Sequence, residues 1–414
     1  MANINQVVDW MAMESMFLLK NKLSVASGFN TSYKKEFEKP FAVGDTVRVK
    51  KPQRFLIRDG LGYTAGPINR INTNITVQQP FGIDFEWDSF EKAIRMERGD
   101  AALSAEYIAP AMAQISQEID SRCAQFAYQN ANNFVGILGT DPVDFDSTSA
   151  AARQRLVELG GANDETERMI CVPPNIMRAL KKSAISYFNP VTDITKQFRT
   201  GVVGSGDGFD WYESMSLYSH TSGIWAGAVT VTTTSVSGDT TLAVTCTTGD
   251  TFNKGDAFDV AGSNQVNPMT RRKTTSVLKP FVVLNTVVGV ASAATLQISP
   301  TIYGPGSQYQ NVDVLPAAAS ALTMFRGTAA PTVAHSGVNG IAFTGTAFAL
   351  VGVPLEKAED AEISWTRQDP QTGLSISFLR MTDPIQRKKV NRFDCCIGFG
   401  QLYSDECAVR ILGA

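Results

Sequence analysis

LSAEYIAPAMAQISQEIDSRCAQFAYQNANN, residues 103–133, is the longest uninterrupted helical pattern in the chain. Ile108, Met112, Ile115, Ile119, Cys123 and Phe126 recur at three- and four-residue steps, which stacks them on one face of a helix. Gln114, Gln117, Glu118, Asp120, Arg122 and Gln125 fill the other face. Ser104 is placed to cap the start and Glu106 sits where the helix dipole favours a negative charge. Pro110 belongs in a slightly later first turn, or else kinks the helix. At 1.5 Å per residue such a helix reaches roughly 40 Å, enough to span its domain as a spine. Periodicity alone leaves open an ordinary core helix of a large enzyme.

Upstream, residues 44–79 turn strand-like: Thr46 to Lys50 alternate, as does NTNITVQQ at 72–79, with a segment rich in glycine and charge between them. This pattern predicts a long hairpin or extended loop carrying Arg54, Arg58, Asp59 and Arg70. It is either a solvated loop or an arm lying on an adjacent molecule, because an isolated two-stranded hairpin is marginal in water. Residues 4–23 form a first helical pattern with Trp10, Met13, Met16 and Phe17 spread beyond its apolar face. That is more apolar surface than one short helix hides, so the arm packs on its own body or on a neighbouring subunit.

Downstream, Asp146 or Ser147 is placed to cap the helix SAAARQRLVELGG, followed by a buried strand at 169–172 and a helix from Asn175 to about Ser186. Mixed strands and helices in this order indicate an α+β domain. From Thr221 to about Gly337 charge thins out and Thr, Val, Ser, Ala and Gly dominate. Strand-sized runs at 241–245, 257–260, 281–288 and 294–298, punctuated by turn residues, predict a small all-β insert, a barrel or a sandwich. The chain then turns mixed again and ends in strand patterns at 374–381, 394–402 and 407–412, so the insert interrupts a domain begun earlier.

The formal net charge of the 414 residues is −3, which gives no global basic field for tight binding to duplex nucleic acid or a membrane surface. The start of the chain lacks the pattern of a secretory leader, and no apolar run reaches the roughly 18 residues of a membrane span. The six scattered cysteines form no CxxC pair and read as buried free thiols. The two histidines, His220 and His335, leave little material for a metal site or a histidine-based triad, and no nucleophile-and-base arrangement is evident. Arg387, Lys388, Lys389 and Arg392 are the densest basic cluster, either a solvated strand end or a contact for nucleic acid or a partner's carboxylates.

In this order the parts resemble the major capsid protein of tailed phages, the Johnson fold. Within it, TGDTFNKGDAFDVAG at 248–262 and ATLQISPTIYG at 294–304 look like the insertion domain of coat proteins of the Salmonella short-tailed phage type. IDSRCAQFAYQNANN and FDCCIGFGQLYSDECAVRIL look like that family's spine helix and closing strands. Between His220 and Ser237 this chain is short where such domains can carry a long charged loop that reaches a neighbouring capsomer.

The resemblance implies an α+β fold with a long spine helix, an extended hairpin loop and an inserted barrel-like all-β domain. The chain would divide into an arm (1–43), the loop (44–80), a spine-helix domain (81–145 with 374–414), an axial domain (146–220 with 338–373) and the insert (221–337). It further implies a virion shell subunit, made in the host bacterial cytoplasm, with no catalytic, cofactor or metal site and no membrane. Its partners would be other copies in hexamers and pentamers, a scaffolding protein, a portal and loosely contacted double-stranded DNA. Trp10, Phe17, Arg54, Arg58, Asp59 and Arg70 would then lie at contacts between subunits. The competing readings are a tail-tube subunit, which needs no spine helix of this length, and a hydrolase with an added β domain.

Overall fold

The computed structural model describes residues 12–19, 22–37, 44–57, 60–61, 71–88, 108–142, 144–160, 167–187, 205–325, 332–358, 361–382 and 388–413. Two compact units are present: Met1–Lys50, Asn72–Cys123 and Phe348–Gln401 form the first, and Lys51–Ile71, Ala124–Ala347 and Leu402–Ala414 form the second.

The first unit holds two antiparallel four-stranded sheets. One has the order Thr46–Lys50, Asn72–Val77, Ile397–Gln401, Phe348–Gly352, so the predicted hairpin at 44–79 forms, with Thr46 opposite Thr76 and Lys50 opposite Asn72. The other has the order Ile363–Gln368, Ser375–Thr382, Lys388–Cys395, Phe81–Asp88. The single strand expected at 394–402 is broken at Cys396, and its two halves serve different sheets.

The spine helix is Ala109–Asn130, 22 residues and about 33 Å long at 1.5 Å per residue. Pro110 falls in its first turn, where a missing N–H costs nothing, and Ser104 and Glu106 lie outside the described residues. Ile108, Met112, Ile115, Ile119 and Cys123 are buried as the periodicity predicts. Phe126 is only half-buried, and Ala124, Ala127 and Tyr128 are buried instead. Asp120, expected on the polar face, is 3% exposed.

The second unit contains a mixed six-stranded sheet in the order Asn133–Val135, Ala408–Ile411, Gly340–Thr344, Arg168–Val172, Phe209–Glu213, Ser205–Gly206. Arg168–Val172 is buried at every position and runs parallel to Phe209–Glu213, which explains its continuous apolar run. The last strand, grouped by sequence with 81–145, pairs here with Gly340–Thr344 and Asn133–Val135. Helices Ala151–Glu158 and Pro174–Tyr187 bring Ala152, Leu156, Ile176, Met177 and Leu180 onto one apolar core with Ile170, Val172, Phe209 and Trp211. Neither Asp146 nor Ser147 caps the first of these. A π turn, Asp146–Ala150, precedes it, and Asp144 Oδ1 accepts the Ser147 N–H at 2.8 Å.

The insert is a six-stranded sheet in the order Leu322–Met324, Ala257–Val266, Lys273–Val283, Ala293–Ser299, Thr241–Thr245, Thr230–Val231. Its two end strands meet: a bridge joins Thr230 to Ala321, and the N–H of Leu322 donates to the Val229 carbonyl at 2.9 Å. The sheet therefore closes as a barrel and leaves no open edge to pair with another chain. Trp225, Phe252, Phe258, Phe281 and Leu296 fill it, and the same core includes Tyr128, Phe134 and Leu412 from outside the insert. All six cysteines are free thiols and buried.

Candidate functional site

Residues 12–19 of the arm are helical, with Ala12, Ser15, Met16 and Leu19 buried and Met13 and Phe17 exposed, the latter 62%. Met13 and Phe17 stand four residues apart, so they share one helix face. The root of the arm is held by the spine. Asp120 accepts hydrogen bonds from the Ser24 N–H, the Ser24 hydroxyl and the Ala26 N–H, each at 2.8 Å. Burial raises its carboxyl above the ordinary value, and these hydrogen bonds pull the other way. Sequence reasoning missed Asp120 because a lone acid in a helical pattern scores as surface. Trp10 lies outside the described residues.

Of the loop's expected contact residues, Arg58, Asp59 and Arg70 lie outside the described residues. Arg54, expected to reach a neighbour, forms an ion pair with Glu406 of its own chain, so its guanidinium is engaged within the fold. Burial, together with Asp405, raises the Glu406 carboxyl above the ordinary range, and Arg54 and Lys279 pull it back. The loop also carries an exposed apolar run that its charge had obscured: Phe55 is 72% exposed, Ile57 91% and Leu61 98%, with Leu56 also exposed.

Arg387 lies outside the described residues, and Lys388 and Lys389 are backbone members of the strand Lys388–Cys395. Arg392 donates from Nε to both Asp394 oxygens at 2.7 Å and lies 3.6 Å from Asp84. It is thus matched by carboxylates of its own chain rather than held out as a bare cation.

His220 is the one histidine that meets a carboxylate among the described residues: its Nε2 lies 2.8 Å from Asp256 Oδ1. Both residues are 1% exposed. The second Asp256 oxygen accepts the N–H groups of Gly223 and Asn253, and aromatic rings of Tyr128, Tyr218 and Phe325 surround the imidazole. Beside them Arg410, fully buried, stacks on Tyr128 and donates to the carbonyls of Ala131 and Gly255. The cluster joins the start of the insert (Gly223), its body (Asp256) and its end (Phe325) to the second unit's own framework. No group of acids, histidines and cysteines suited to a metal ion occurs among the described residues, and none of their helices is long and apolar enough to cross a membrane.

The family model described as P22 coat protein, gene protein 5, matches residues 86–407. Among curated proteins nothing matches the chain. Similar solved structures include one from Mycobacterium phage Che8, at 13% identity and a TM-score of 0.48, covering 95% of this chain and 92% of that one. The capsid of cyanophage P-SCSP1u is similar at 10% identity and a TM-score of 0.40, covering 91% and 85%. The mature capsid of bacteriophage PhiM1 is similar at 11% identity and 0.40, covering 93% and 88%. The assignment rests on the family match: over three quarters of its length this chain belongs to the P22 coat protein family, and it is a tailed-phage major capsid protein whose copies form the icosahedral shell of the virion.

Proposed function

We propose that copies join through two apolar surfaces, the arm face bearing Met13 and Phe17 and the loop run Phe55, Leu56, Ile57 and Leu61, which meet neighbouring subunits within hexamers and pentamers. The observation that carries this reading is the exposure of four large apolar side chains within seven residues of one loop. A soluble monomer gains nothing from such a patch, whereas burying each side chain is worth roughly 1.5–3 kcal/mol once a neighbour covers it. Individually modest contacts suit a shell, because strong ones would trap misassembled sheets, and heterologous contacts close only when subunits sit in rings.

The chain acts without catalysis. The His220 and Asp256 pair, among the described residues, is sealed from solvent, and the remaining Asp256 oxygen is taken by two backbone N–H groups. A scaffolding protein and a portal are its assembly partners, and synthesis takes place in the host cytoplasm. Packaged double-stranded DNA is contacted loosely, in keeping with a net charge of −3 and with the carboxylate partners of Arg392.

Negative-stain microscopy and sedimentation of the purified chain, with scaffold where required, test this: closed hollow shells of uniform diameter are expected. A monodisperse monomer that turns over a small substrate would overturn it.

A further inference from the structure

We propose that Tyr403, Glu406 and Arg271 form a saddle that fixes the extended loop and turns its apolar side chains toward a second copy of the chain. The barrel insert would thereby position an assembly element rather than merely decorate the shell. This rests on the reading of the loop as an assembly surface.

Three tethers fall within five residues of the loop's ascending limb. The Lys51 ammonium lies 5.3 Å from the centre of the Tyr403 ring. Arg54 pairs with Glu406 in the short helix Ser404–Cys407. The Arg271 guanidinium donates to the Phe55 carbonyl at 3.3 Å and to the Gln308 carbonyl at 3.5 Å. Two of the holders belong to the C-terminal segment and the third to the insert.

Two of the holders are themselves secured. Lys279, 2% exposed, attracts Glu406 by its charge. Arg271 sits in the turn of a hairpin, at φ 56°. Asn267 organises that turn: its Oδ1 accepts the N–H groups of Met269 and Thr270 at 2.9 Å, and its Nδ2 donates to the Glu158 carbonyl at 2.6 Å.

The backbone is therefore held on its inner side while Phe55 and Ile57 keep their side chains in solvent. A free loop would fold such residues back on itself or pay conformational entropy on docking. A loop fixed beforehand avoids that cost, the general benefit of pre-organisation. The exposed Met269 and Arg272 on the same hairpin extend the surface beside the loop. Since copies of this chain are what the shell is made of, the occupant of the surface is a second copy.

The test compares Glu406→Gln, Arg271→Ala and their combination in the full chain. Amide exchange over residues 51–57 in the unassembled protein should rise about tenfold in each single variant and further in the double. Global unfolding should stay in place and shell yield should fall severalfold. Arg54→Ala combined with Glu406→Gln should raise exchange at 51–57 no further than Glu406→Gln alone, because that variant already removes the Arg54 contact.

Unchanged exchange at 51–57 overturns the saddle. Raised exchange with full shell yield overturns its assembly role. In that case Ile57→Asp, which leaves the tethers intact, separates the two ideas: a loss of shells keeps the loop as an assembly surface, and no loss removes it as well. Arg271→Ala, on a partly exposed hairpin, carries the test if Glu406→Gln unfolds the chain.

Discussion

Replacing Asp120 should loosen the root of the arm. In Asp120→Ala the Ser24 and Ala26 N–H groups lose their acceptor, and the second of these lies in a buried site. An orphaned buried donor costs about 1–3 kcal/mol, and the part-buried Ser24 N–H adds less because water reaches it. Relief from holding a desolvated carboxylate offsets part of this, and a net loss of about 1–3 kcal/mol is expected, a large share of typical domain stability. Urea unfolding of the unassembled chain measures the loss, and amide exchange at 22–30 locates it.

The pH dependence carries a sign. The folded-state pKa of Asp120 is raised, so the folded state binds this proton more tightly than the unfolded one. The associated stability is fully present below the unfolded value, about 3.9, and is lost as pH rises through the folded value. Asp120→Asn does not titrate there, so its stability deficit relative to the natural chain should shrink with rising pH across that window. A deficit that grows instead would mean that the three hydrogen bonds outweigh burial. A total effect of Asp120→Ala below about 0.5 kcal/mol, with unchanged exchange at 22–30, would refute the clasp itself.

Three further outcomes are expected. Phe17→Asp and Ile57→Asp should each shift unfolding of the unassembled chain by no more than about 0.5 kcal/mol, as exposed substitutions do, yet lower shell yield in sedimentation. Gly223→Ala should destabilise the entry to the insert, because an added Cβ would run into the Thr251 carbonyl and disturb the Gly223 N–H bond to Asp256; calorimetry should show a clear drop in Tm. The excised insert, 221–337, should give a β-type circular dichroism spectrum, since its barrel closes on its own strands; a disordered spectrum at low temperature would show that Tyr128, Phe134 and Leu412 are indispensable to its core.

Local pattern revealed what is local. The three- and four-residue spacing identified Ile108, Met112, Ile115, Ile119 and Cys123 as buried, and alternation located the paired strands of the loop. Phe126, on the same line as Ile108 after five helical turns, is half-exposed because the end of the helix is enclosed from other sides, through Ala124, Ala127 and Tyr128.

Long-range pairing was illegible. Nothing near Ala408 announces Gly340–Thr344 as its neighbour, and nothing near Thr230 announces Ala321. Polar residues with buried roles, Asp120, Asp256 and Arg410, were lost for a related reason: their partners lie 94 to 279 positions away in Ala26 and Ala131, or across the insert in His220. In the DFDST stretch four side chains could serve as a cap, and only the fold singles out Asp144.

The burial of every cysteine has a practical consequence. Burial raises the thiols of Cys123, Cys246, Cys396 and Cys407, and that of Cys395 up to about 12 with Cys396 beside it, so thiolate is scarce at these positions and burial limits the access of reagents to all six. The particle thus has a silent background toward maleimides and disulfide exchange. Ile57→Cys would place the sole reactive sulfur of the chain on the loop, and its modification rate before and after shell closure would report directly whether that position becomes covered.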